Sequence, residues 1–353
     1  MRLLDVYVIV AYMKNIDFIN ELKLRRDPVH RTILKYLPEK EPFGHYEMIR
    51  EYPYRMGKYF RPGLILLSSE MFGGKKKDAL LTAAAMQLSE DWILIHDDIE
   101  DHSDERRHKP TLNKMHGEDL ALNAGDALHL IMWKTLGDAV KQNGTPTGWK
   151  IFEKMNEVGM SATEGQYLEI SWIRNERVYV PENEYIDMIK RKTAEYTVIG
   201  PLQPGALLAG ASERDLRAIK EWGTPFGYAF QIWDDYMNIA TASEKQGKEN
   251  GGDILEGKRT LLLSHLLSHC TGEEKKKVVS IYLKKREKKT EKEKSYVIGL
   301  MRKYGSDEYA KLKAREYGNL AKKLFDKHTK RLPLSRAKEI IRAGIDFVTN
   351  REE

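Results

Sequence analysis

Residues Asp97-Asp98-Ile99-Glu100-Asp101 place two aspartates four positions apart at the end of a long apolar run. Four positions is about one helical turn, so Asp97 and Asp101 point the same way. Like charges stacked there weaken a helix unless cations sit between them. A second cluster, Asp234-Asp235-Tyr236-Met237-Asn238, closes another apolar run, and its first and fifth positions align in the same manner. Carboxylates without histidine or thiolate partners suit a hard cation, and sparse ones leave room for phosphate oxygens around Mg²⁺. Basic residues stand at intervals along the chain. Arg106, Arg107 and Lys109 follow the first cluster, Lys58 and Arg61 lie in RMGKYFRP, Lys192-Thr193 in KRKTAEY, and Lys248 and Lys258 in GKENGGDILEGKRT. Arginine forks and lysine point charges beside metal-binding carboxylates are what a diphosphate group requires.

The elements that must hold these residues read as helices. The run over 79–101, ALLTAAAMQLSEDWILIHDDIED, is apolar on several sides, as in a helix enclosed by a bundle. Alternating strand patterns are absent, and the Gly- and Pro-bearing segments at 38–44, 143–148, 200–205 and 246–252 read as loops between helices. The chain has 353 residues, 41% of them hydrophobic, which is enough for a sizeable core and excludes a disordered or collagen-like chain. Its 59 Lys+Arg against 53 Asp+Glu give a net charge of only +6, so no dominant basic field exists. The lysine-rich stretch at 273–294 reads as a solvated helix face. A nucleic-acid surface would interleave stacking aromatics, and only Tyr282 is there, so no nucleic-acid partner is expected. One cysteine, Cys270, excludes an internal disulfide framework and a multi-cysteine zinc site, and fits a reducing compartment. No stretch approaches the roughly 18 apolar residues of a membrane span. The apolar segment 3–13 is interrupted by Asp5 and reads as a core helix rather than a signal sequence. A cytoplasmic location is the expectation.

Taken in order, these segments resemble the trans-isoprenyl diphosphate synthase (polyprenyl synthetase) family, of the farnesyl and geranylgeranyl diphosphate synthase type. The resemblance runs over about 57–261. It includes Gly57-Lys58 with Arg61-Pro62, DDIED followed by Arg106-Arg107 and Lys109-Pro110-Thr111, Ala124-Gly125-Asp126, and Gly165-Gln166. Lys192-Thr193-Ala194, Phe230-Gln231 before Asp234-Asp235, and Gly257-Lys258-Arg259-Thr260 complete the set. It implies one all-α domain over 1–353, a large helical bundle around a deep central cavity, assembled as a homodimer. It also implies that isopentenyl diphosphate is joined head to tail to an allylic diphosphate. By the resemblance, Asp97, Asp101 and Asp234 ligate Mg²⁺ with Asp98 and Asp235 in support. Arg106, Lys192 and Lys258 hold the allylic diphosphate, Lys248 is a further substrate-binding residue, and Lys58, Arg61 and Arg107 take isopentenyl diphosphate. Thr193 and Gln231 lie beside the carbocation. This sequence departs from the family's pattern at Met56, Tyr59, His108 and Asn238, and at Glu90, where the family usually has His or Gln.

The helix bearing DDIED also measures product length. At 1.5 Å per residue, side chains one to two turns before Asp97 lie roughly 6 to 12 Å deeper. Ideal geometry puts Ile93 and Ser89 under Asp97, while the family pattern counts Trp92 among the floor positions. A bulky Trp92 above small Ser89 points to a short product, C20 ahead of C15. Two other functions use related residues. A class I terpene cyclase also uses DDxxD, but its second metal motif needs a hydroxyl residue and a glutamate where Asn238 and Ala242 stand. A non-catalytic partner subunit would be expected to lose metal ligands, and both aspartate pairs are intact.

Overall fold

The computed structural model describes residues 16–240 and 250–350, so Lys248 and segment 3–13 lie outside the described residues. Chain order begins with α1 (Phe18–Leu34), α2 (Phe43–Arg55), α3 (Phe60–Met71) and α4 (Lys76–Glu100). A small hairpin follows, β1 (Glu105–Arg106) and β2 (Lys109–Pro110), then α5 (Leu112–His116), α6 (Glu118–Asn143) and α7 (Thr145–Arg174). Next, α8 (Glu182–Ile189) runs through a π-helical stretch, Lys190–Ile199, into α9 (Gly200–Leu208). The remainder is α10 (Glu213–Ala240), α11 (Gly252–Glu256), α12 (Leu261–His269), α13 (Gly272–Tyr282), α14 (Glu291–Lys303), α15 (Ser306–Thr329) and α16 (Arg336–Asn350). This is the all-α bundle the sequence led us to expect. Among the described residues, no helix is long and apolar enough to cross a membrane.

Helix α4 is the centre of one core. Ala79, Ala83, Ala84, Ala85, Met86 and Leu88 are buried around its circumference, because α1, α3 and α6 pack on it from different sides. Small side chains on so many faces let neighbours approach closely, which is why the run lacks a polar stripe. The second core lies under α12 to α15 and includes Trp233, Leu262, Leu266 and Met301. Helix α10 contributes to both cores, with Trp222 and Phe226 in the first and Ile232 and Trp233 in the second.

Two close helix approaches set the shape of the site. A Cβ on Gly165 of α7 would fall 2.5 Å from the backbone nitrogen of Lys192, and one on Gly227 of α10 would fall 2.3 Å from Cα of Ala194. Only glycine admits such contact. The π-helical stretch is therefore clamped between α7 and α10 at the residues on either side of Thr193. Wide π turns re-aim side chains and concentrate at functional sites.

Candidate active site

A cavity of about 470 Å³ opens between α4, α7, the π stretch and α10, within the range of small-ligand sites. The two aspartate clusters sit at the ends of α4 and α10, and Asp97 and Asp234 both line this cavity. Arg61, Trp92, Ile93, Arg106, Lys192, Thr193, Gln231, Asp235 and Lys258 also line it. Residues spread over more than 190 positions of sequence thus share one wall.

The carboxylates and cations are interleaved. Asp97 meets Arg106 Nη2 at 3.4 Å and Lys192 Nζ at 3.8 Å, and Gln166 donates to it at 3.4 Å. Asp101, one turn after Asp97, has Lys258 Nζ 2.9 Å from its Oδ2. That contact lacks hydrogen-bond geometry, so Asp101 Oδ2 is buried without an aligned donor. Burial raises the Asp101 pKa, Lys258 opposes the shift, and Asp97 and Glu256 add to it. Burial would lower Lys192, but Glu169 and Asp97 beside it raise it, and Asp101 and Glu256 do the same for Lys258. Both lysines therefore stay charged.

Asp98 and Asp235 are each held by hydrogen bonds from neighbouring side chains. Asp98 is fully buried, gripped by the Arg106 guanidinium, and accepts from Tyr52 Oη at 2.5 Å. Asp235 accepts from Tyr185 Oη and Gln231 Nε2, both at 2.7 Å, while Thr193 Oγ1 donates to Gln231 Oε1 at 2.7 Å. The chain Thr193–Gln231–Asp235 thus orients the Gln231 amide. Burial raises the Asp235 pKa, and the two donors hold it back.

On the α3 flank, Arg61 Nη1 lies 3.1 Å from Glu90 Oε2, Nη2 donates to Thr197 at 2.9 Å, and the guanidinium covers the Tyr196 ring at 4.7 Å. Arg107 reaches Asp91 at 3.0 Å and Glu90 at 3.8 Å, and donates to the Tyr52 carbonyl at 2.8 Å. Lys58 is exposed on the loop before α3, next to Gly57, whose added Cβ would touch Arg107. Arg107 and His108 have φ of 55° and 61° and join β1 to β2. Positive φ at both central residues is the backbone of a type I′ turn, which explains why glycine suits position 108 and makes His108 a strained choice.

At the cavity floor, Trp92 and Ile93 face inward, whereas Ser89 does not. Ser89 is buried behind Tyr196, sharing a 2.8 Å hydrogen bond with its hydroxyl, so Tyr196 takes the lining position. Trp92 packs on His129 of α6 with ring centroids 4.4 Å apart, and Trp133 Nε1 donates to His129 Nε2 at 2.7 Å. Neither aromatic partner was evident from the α4 sequence. Glu169, Tyr185, Tyr196 and Thr197 were also missed. Glu169 stands one turn beyond Gly165, and that spacing was the available signal.

The donors at the mouth are hard carboxylate oxygens. Among the described residues, no three His, Cys, Asp or Glu side chains form a ready-made cage. Mg²⁺ takes hard oxygen ligands and is held by one or two carboxylates together with substrate phosphates. The cavity-lining Asp97 and Asp234, and the buried Asp101 Oδ2 that Lys258 approaches, offer such oxygens.

Residues 45–299 match the family model described as Polyprenyl synthetase. The short chain isoprenyl diphosphate synthase of Methanothermobacter thermautotrophicus is 34% identical over 297 residues, 84% of this chain and 87% of that protein. The geranylgeranyl diphosphate synthase of Sulfolobus acidocaldarius is 34% identical over 264 residues, 74% of this chain and 78% of its own. The crystal structure of geranylgeranyl pyrophosphate synthetase from Pyrococcus horikoshii Ot3 superposes with a TM-score of 0.84 at 29% identity, covering 95% of this chain and 99% of that one. Sequence and fold agree along most of the chain, which belongs to the polyprenyl synthetase family.

Proposed function

We propose that this protein condenses isopentenyl diphosphate with an allylic diphosphate to give a linear, all-trans prenyl diphosphate, C20 before C15. The observation that carries this reading is that the two aspartate clusters end on one cavity whose deeper wall is apolar and aromatic. Lys192, Lys258 and Arg106 bind the allylic diphosphate and stabilise the charge that develops as its C–O bond breaks. Mg²⁺ held by Asp97, Asp101 and Asp234 would neutralise further charge on that group. Ile93, Trp92 and Phe230 keep water from the carbocation, and the oriented oxygens of Thr193 and Gln231 face it without a full charge. Arg61, Arg107 and Lys58 hold isopentenyl diphosphate, whose double bond attacks the cation. The proton released from the new C–C adduct passes to an oxygen of the departed diphosphate, so no side-chain base is required.

We further propose one helical domain acting as a homodimer in the cytoplasm. Leu122 and Leu130, exposed two turns apart on α6, and exposed Met160 on α7 supply apolar contacts for pairing, and buried, free Cys270 suits a reducing compartment. Calorimetry tests the division of the site. Farnesyl diphosphate is expected to bind only with Mg²⁺, because its diphosphate meets the aspartates, whereas isopentenyl diphosphate binds without it. Mg²⁺-independent binding of farnesyl diphosphate would contradict the assignment.

A further inference from the structure

Glu90 stands one turn beneath the cavity residue Leu94 on α4 and carries its carboxylate into a pair of arginines. Arg61 and Arg107 face Glu90 and Asp91, so two positive charges already meet two negative ones. The two acids are not equivalent. Asp91 is buried and accepts hydrogen bonds from Arg107 at 3.0 Å and from Gln87 at 3.2 Å, which makes it a fixed part of the wall. Glu90 has no such anchoring. Its Oε2 lies 3.1 Å from Arg61 but without hydrogen-bond geometry, and Arg61 Nε is likewise buried without a partner among the described residues. Arg61 itself is held from two other directions, by Thr197 and by the Tyr196 ring. The arginine therefore keeps its place if the Glu90 carboxylate leaves.

We propose that Glu90 is a built-in competitor for the diphosphate of isopentenyl diphosphate. Its carboxylate compensates Arg61 and Arg107 and must give them up when the substrate binds, so Glu90 sets the affinity of that subsite. A diphosphate carries enough oxygens to serve both the Arg61 Nε and the groups Glu90 now contacts, while the retained Glu90 charge opposes it. This rests on reading Arg61 and Arg107 as the isopentenyl side of the site. Glu90 is thus a specificity-determining residue that takes no part in bond making.

The test is the dissociation constant of isopentenyl diphosphate, measured by calorimetry without allylic substrate, in wild type and Glu90→Gln. The glutamine variant is expected to bind about tenfold more tightly, equivalent to about 1.4 kcal/mol. In turnover, KM for isopentenyl diphosphate should fall by a similar factor, with kcat and the allylic KM within about twofold. Unchanged or weaker binding by Glu90→Gln would overturn the proposal and make Glu90 a brace for Arg61. Glu90→Ala removes the same charge and is read in the same way if the glutamine variant does not fold. If wild type binds no isopentenyl diphosphate at all, the functional reading itself fails, a result distinct from unchanged binding in the variant.

Discussion

The charged cluster on the cavity wall and the one on the α3 flank pair carboxylates with cations in different ways. Around the cavity, Lys192 pairs with Asp97 and Glu169, Lys258 with Asp101 and Glu256, and Arg106 with Asp97 and Asp98, while Asp234 lines the same wall. On the α3 flank, Arg61 and Arg107 meet Glu90 and Asp91 in balance, with Lys58 exposed nearby. Burial raises the Asp101 pKa, with Asp97 and Glu256 adding to it against the pull of Lys258, so a cation beside these carboxylates is favoured. A balanced cluster calls for none and binds an anion by exchange. One half of the site is therefore expected to depend on metal and the other on arginine.

The largest effect follows from breaking the mouth. Asp97→Ala or Asp234→Ala should lower kcat by about 10³-fold or more, since stabilisation of the leaving group is lost. Chelation of divalent metal from wild type should have the same consequence, read in a steady-state assay with metal added back. An active, chelator-resistant Asp97→Ala enzyme would remove the contrast between the clusters. Breaking the balanced cluster should be milder for catalysis. Arg107→Ala should raise KM for isopentenyl diphosphate by about 10- to 100-fold while the allylic KM stays constant, the loss of one charge-assisted contact. The same change strands buried Asp91 and should cost about 3–5 kcal/mol in denaturant unfolding. Equal losses for both substrates would show that the clusters do not divide the work. The smallest change in rate is expected at the floor. Trp92→Ala opens space against His129 and should lengthen the product, seen by chromatography of the dephosphorylated alcohols. An unchanged product spectrum would assign Trp92 to packing alone.

Much of this was legible in the residues. DDIED at the end of an apolar run, and a second pair of aspartates closing another, announce themselves because charge at helical spacing is visible without tertiary structure. What could not be read is orientation. Asp97 and Asp98 are neighbours, yet one lines the cavity and the other turns inward to Arg106 and Tyr52, a partner 46 positions away. Ser89 lies on the predicted stripe under Asp97, but the Tyr196 ring stands in front of it. Tyr196 reaches that place through the π stretch, whose wider turns shift the register of Lys192, Thr193 and Thr197 relative to an ordinary helix. No propensity rule signals that stretch, which packs at Lys192 and Ala194 against Gly165 and Gly227. Glu90 was visible as an anomaly, a carboxylate where an anion should bind, and only the two arginines around it explain how the chain accommodates it.

The most direct measurement is turnover by purified protein with Mg²⁺, labelled isopentenyl diphosphate and a series of dimethylallyl, geranyl and farnesyl diphosphates. Linear prenyl diphosphate ending at C20, formed only when both substrates and metal are present, is the predicted result. Cyclic hydrocarbon products, or no product from any allylic primer, would contradict it.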